Sequence, residues 1–180
     1  MPVVPGLVDI DQDIKYDTQQ YDSGDTSIPF FTTPISSTVQ QDVTNMTQAG
    51  FFTGDASFTI RGYELIAQLG ATPEDLNKIY NTGWFTLKIG KTERLQVALR
   101  FIPAGATLYG LDNRSTGASQ VSVQWYAGGS IFTLVQSIVI EPRQEFSVTM
   151  QWSAGQAVAA AVDLTFALHG LLTEPTRVEG

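Results

Sequence analysis

Few residues here are equipped for chemistry, and their spacing decides against most reactions. The 180-residue chain has one histidine, His169, and no cysteine. A hydrolytic triad needs a base beside a nucleophile, and the strained G-x-S-x-G turn that presents a nucleophilic serine does not occur. A metal-dependent jelly-roll enzyme of the cupin type needs several histidines, which this chain lacks. Asp9, Asp11 and Asp13 have the spacing that opens an EF-hand calcium loop. That loop wants glycine sixth and glutamate twelfth, where Ile14 and Gln20 stand, so solvated charges on an extended segment explain the spacing more simply. Glu64, Glu93, Asp112, Glu141, Glu145 and Asp163 offer carboxylates, but nothing in their spacing selects a glycosidase pair. Gly128-Gly129 runs into a further strand and not into a helix N-terminus, so it is no phosphate loop. The expectation is a protein that is not an enzyme and carries no catalytic residue, metal or cofactor.

Binding features are easier to find. Lys88, Lys91, Arg94 and Arg100 fall on one predicted hairpin, with Lys88, Arg94 and Arg100 in the polar phase and so on its outer face. They serve either as edge-protecting charge or as the complement of an acidic surface. Trp84 is out of phase with its apolar neighbours, which marks it as an exposed contact. His169 lies opposite the apolar stripe of its strand and is expected at solvent or in an interface. The net charge of −8 argues against direct nucleic-acid binding.

The elements that would position these groups read as antiparallel β. Phe58 and Ile60 alternate with Thr59 and Arg61, and after Gly62 the apolar phase slips by one to Tyr63, Leu65 and Ala67. The slip predicts a bulge at Arg61-Gly62, with glycine supplying positive φ. Thr72-Pro73-Glu74-Asp75 is a helix start, with Leu76, Ile79 and Tyr80 as its apolar stripe. Phe85, Leu87 and Ile89, then Leu95, Val97, Leu99 and Phe101, are expected to face inward across a Gly90–Glu93 turn. Further strands run through Val121–Trp125, Phe132–Ile140, Phe146–Trp152 and Val158–Leu168, and Trp125 and Trp152 are in phase with the core. Residues 104–119 read as a long loop, and 36–53 as one weak strand with Val39 and Val43 as core positions.

Residues 1–37 differ from the rest. Prolines 2, 5, 29 and 34 and six aspartates between Asp9 and Asp25, against the single Lys15, describe an extended arm. Its apolar handles, Val3, Val4 and Leu7, then Ile28, Phe30 and Phe31, imply that it docks on its own barrel or on a neighbouring subunit. The N-terminus has no basic leader with an apolar run, so no secretory signal is expected. The expected fold is all-β, a single jelly-roll β-sandwich or barrel of about eight antiparallel strands with one short helix near 73–81. Residues 1–37 form the N-terminal arm, 38–174 the jelly-roll domain and 175–180 a C-terminal tail. The interface candidates are Val3, Val4, Leu7, Ile28, Phe30, Phe31, Trp84, Lys88, Arg94 and Arg100.

Several stretches carry a resemblance: Thr44-Asn45-Met46-Thr47-Gln48-Ala49-Gly50, Ser57-Phe58-Thr59-Ile60, the Thr72–Leu76 helix start, Phe85–Lys91, Phe101–Gly105 and Val162–Gly170. Over residues 44 to 170 the chain resembles the single-jelly-roll major capsid proteins of tailless, internal-membrane-containing icosahedral bacteriophages, the sphaerolipovirus-like group that includes Thermus-infecting members. The resemblance implies a subunit of the virion shell that self-associates as a dimer or larger. It also implies packing with a second, larger barrel capsid protein over a lipid membrane that the shell touches peripherally. The rival expectation is a lectin-like carbohydrate-binding module with Trp84, Tyr109, Tyr126 and the 104–119 segment as an aromatic platform.

Overall fold

The computed structural model describes the backbone of residues 3–67, 71–102, 106–116, 119–128 and 131–177, and the side chains of 8–67, 71–72, 74–102 and 131–176. In chain order the elements are β1 (Val3–Tyr21), β2 (Ser27–Phe30), β3 (Ser57–Ala67), α1 (Pro73–Thr82), β4 (Gly83–Ile89) and β5 (Thr92–Ala98). A 3-10 turn (Leu99–Phe101), β6 (Ala106–Thr116), β7 (Ser119–Gly128), β8 (Phe132–Ile140), β9 (Phe146–Trp152) and β10 (Val162–Arg177) follow. Eight strands form two four-stranded sheets, ordered β1-β10-β3-β8 and β2-β9-β4-β5, while β6 and β7 pair only with each other. The antiparallel partners β1–β10, β2–β9, β3–β8 and β4–β5 nest inside one another along the chain. That nesting is a long hairpin rolled into a sandwich, the jelly-roll topology.

The core lies between the sheets and is dominated by aromatic rings. Phe166 of β10 is fully buried, with its ring centroid 5.0 Å from Phe85 and 6.0 Å from Phe30 of the opposite sheet. Phe52 stacks on Phe58 and Phe146 at 5.2 and 5.3 Å. Offset and edge arrangements of this kind contribute beyond their buried area. α1 adds Leu76 and Ile79 to the same core. Its start is fixed by Thr72, whose hydroxyl accepts from Asp75 N–H, and by Pro73 in the first turn. Trp152 anchors it to β9, the indole N–H donating to the Ile79 carbonyl at 3.0 Å.

The bulge lies where the phase slip places it: Gly62 pairs with His169 and Ile60 with Gly170, leaving Arg61 as the extra, exposed residue. The reason for glycine differs from the expected one. Gly62 is absent from the positive-φ positions, and a Cβ there would lie 2.7 Å from the Phe132 carbonyl oxygen. Close backbone approach is therefore what excludes a side chain.

Other expectations need correction. Leu99 is buried but Phe101 is 62% exposed, because the 3-10 turn ends the period-two pattern after Ala98. Residues 106–116, read as loop, form β6; the register shift between Tyr109 and Asp112 broke the alternation that would have announced a strand. The 36–53 segment contains no strand. It runs beside β1 with one bridge, Asp17 to Thr44, which turns Thr44 inward and leaves Val43 exposed. β10 begins at Val162 and continues to Arg177, past the expected end at Leu168 and into the residues read as a tail.

Candidate functional site

The acidic N-terminal segment supplies the first two strands of the sandwich. β1 pairs with β10 from Val8 through Tyr21 and again at Val3, and β2 pairs with β9. Ile28, Phe30 and Phe31 are 4%, 0% and 1% exposed and belong to this chain's own core, so they are not surface contacts. The side chains of Val3, Val4 and Leu7 lie outside the described residues, as do those of Tyr109, Trp125 and Tyr126. Trp84 is half-buried with its indole nitrogen enclosed, which corrects the expectation of an exposed ring. Lys88, Arg94 and Arg100 are exposed, as is Lys91, and the Arg100 guanidinium stands 5.2 Å from the Phe101 ring centroid. Among the described residues none of these four cations pairs with a carboxylate.

β1 has an unusual polarity. Asp13, Lys15, Asp17 and Gln19 share the phase that pairs with Gly170, Leu168, Phe166 and Leu164, the inward phase of β10. Ile10 and Ile14 therefore point away from the core, and with Val8 they are 42–58% exposed. Lys15 closes on Asp13 at 2.7 Å. Asp17, fully buried, accepts from the Phe31 N–H at 2.6 Å and from the Gln19 amide at 2.8 Å. Burial pushes its carboxyl above the ordinary aspartate value, against the opposing pull of those bonds. Phe31 sits at φ +63, a left-handed conformation uncommon for an aromatic residue, so the Asp17 carboxylate helps hold a strained backbone in place. Asn45 clips the same strand, accepting from the Tyr16 N–H at 3.0 Å and donating to the Ile14 carbonyl.

His169 is not solvent-facing. Its Nε2 lies 2.9 Å from Glu64 Oε1, with side-chain exposures of 16% and 15%. The two residues are 105 positions apart, and only the β3–β10 register brings them together. Among the described residues no group of three or more histidines, aspartates and glutamates is arranged around a metal ion. Asp9, Asp11 and Asp13 lie on a strand and not in a loop. Asp9, Asp55 and Glu174 line a cavity of about 500 Å³, where Asp55 is bonded to Arg143 at 3.1 Å. Burial drives the Tyr63 hydroxyl up to about 12, but its oxygen is enclosed in the core.

Among the described residues, most of the exposed large apolar side chains lie at the two lateral edges of the sandwich. β1 and β2 are the outer strands on one side, and β8 and β5 on the other. A groove of about 430 Å³ runs between β5 and β8, lined by Arg94, Leu95 and residues 134–139. Its wall is the irregular centre of β8, where four residues, 134–137, oppose the single Arg61 and Val135 is fully exposed. No signal in the sequence marks this wall: Leu134-Val135 and Ile138-Val139 are two apolar pairs separated by Gln136-Ser137, with no period that says which side is exposed. The string alternates Ile10-Gln12-Ile14-Tyr16 with Asp9-Asp11-Asp13-Lys15, but only the pairing with β10 shows that the charged phase is the inner one. The chain matches no protein-family model, no curated protein and no solved structure.

Proposed function

We propose that this chain is a structural subunit of a viral capsid, a jelly roll whose work is to present edges to neighbours. The observation that carries the reading is β1. An edge strand that buries Asp17 and turns Val8, Ile10 and Ile14 to solvent leaves apolar surface that a second protein would cover. Self-association is the primary contact in this reading. By resemblance, a second barrel capsid protein and an underlying membrane complete the shell. The test is electron microscopy and light scattering of the purified chain at rising concentration. Regular oligomers, sheets or closed particles are expected. A monomer at every concentration that binds a defined saccharide on a glycan array would overturn the reading in favour of a lectin-like module.

A further inference from the structure

We propose that copies of this chain associate head to tail, the β5–β8 edge of one sandwich receiving the β1 edge of the next. The inference deepens the shell-subunit reading and rests on it for its purpose; its geometry rests on the two edges. Among the described residues, the large hydrophobic side chains left exposed, apart from Phe101 on the 3-10 turn after β5, lie on or beside an edge strand. Val8, Ile10, Ile14 and Val43 lie on or beside β1, while Ile131, Phe132, Val135 and Val139 lie on β8 or immediately before it. The sheet orders put these two sets on opposite sides of the molecule.

Their charges are opposite as well. Around β1 stand the exposed Asp9, Asp11 and Asp42, and Asp9 is directly across the ladder from Glu174, a like-charged pair that a cation would relieve. On the β4–β5 hairpin and just after it stand the exposed Lys88, Lys91, Arg94 and Arg100, against one carboxylate of the hairpin, Glu93. Of these, Arg94 lines the groove together with Val135 and Val139, so one basic side chain shares a surface with exposed apolar ones. A two-fold contact between β1 edges would set acid against acid, and one between hairpins would set base against base. Joining unlike edges puts apolar groups together and pairs the charges. A heterologous contact of this kind repeats into rings or extended lattices, which is the geometry a shell requires.

The test uses two full-length variants and their mixture. One carries Lys88→Glu, Arg94→Glu and Arg100→Glu; the other carries Asp9→Lys, Asp11→Lys and Asp42→Lys. All six positions are exposed, and circular dichroism and melting curves check that both variants fold. Sedimentation velocity at low salt should show each variant alone weakened at least about tenfold in association constant. An equimolar mixture should recover most of the wild-type association, because each acidic hairpin then meets a basic β1. Wild-type association should also weaken as salt rises. Wild-type-like association by either variant alone, or a mixture that fails to recover, overturns the head-to-tail contact while leaving the shell reading standing. A wild-type chain that is monomeric at every concentration overturns both.

Discussion

Replacing Phe166 with alanine removes the one side chain whose ring meets Tyr63 in its own sheet and both Phe30 and Phe85 in the other. Full burial of a phenylalanine puts the expected loss at about 3–5 kcal/mol, from transfer of the ring and the cavity it leaves. Lost ring–ring contacts of about 0.5–1.5 kcal/mol each favour the upper half of that range, but they overlap the transfer cost and do not add fully. A loss of about 4 kcal/mol corresponds to a Tm drop of about 8–16 °C in a domain of this size. Urea unfolding followed by tryptophan fluorescence measures it, with Val135→Ala as the control. Val135 is fully exposed, so that control should stay within about 0.5 kcal/mol of wild type. A Phe166→Ala loss below about 1 kcal/mol would refute the placement of β10, since a one-residue slip exchanges Phe166 with Ala167.

Three further outcomes follow from local geometry. Because burial raises the Asp17 pKa in the fold, the native state holds that proton more tightly, and the stability it confers is lost as pH climbs from 3.8 through the raised value. Wild-type stability relative to Asp17→Asn should therefore fall with rising pH across that window, and denaturant titrations showing a flat or rising difference would contradict the assignment. Gly170→Ala should cost about 1–3 kcal/mol or more, because its Cβ would stand 2.2 Å from the Thr59 carbonyl oxygen; an unchanged melting temperature would mean that β10 and β3 are farther apart. Thr72→Ala should lower stability by about 1 kcal/mol through loss of the α1 cap, measured by thermal melting, whereas Thr72→Ser should lose little.

The sandwich was legible wherever local pattern and burial agree. β9 alternates Phe146, Val148, Met150 and Trp152 with polar residues, and the helix start at Thr72-Pro73 announces itself by chemistry alone. β1 was hidden because tertiary placement overrides its pattern: Asp13, Lys15 and Asp17 take the inward phase, Asp13 and Lys15 joined by a salt bridge and Asp17 held through Oδ2 by Phe31 and Gln19 while its buried Oδ1 has no partner. A strand that buries its charges reads as a solvated arm until its neighbour is known. β6 was hidden by a bulge, and Phe101 was misplaced by a 3-10 turn that composition does not mark.

The surfaces were legible only in halves. The basic hairpin and the acidic segment stand out in the string, but their separation onto opposite edges depends on sheet order, which couples residues as distant as Asp13 and Gly170. His169 and Glu64 meet through the same long-range register. Pairings between strands far apart in sequence leave no local trace, so the groove that Arg94 shares with the β8 wall could be found only from the fold.

Whether β1 presents a subunit contact is decided by mass from light scattering across protein concentration, for the full chain and for a Val8→Thr, Ile10→Thr, Ile14→Thr variant. Threonine keeps strand propensity while removing apolar surface from side chains that face solvent, so the variant should fold. The wild-type mass should rise above the monomer with concentration, and the variant should stay monomeric over the same range. A monomeric wild type, or a variant that associates as well as wild type, would contradict the claim that β1 presents a subunit contact.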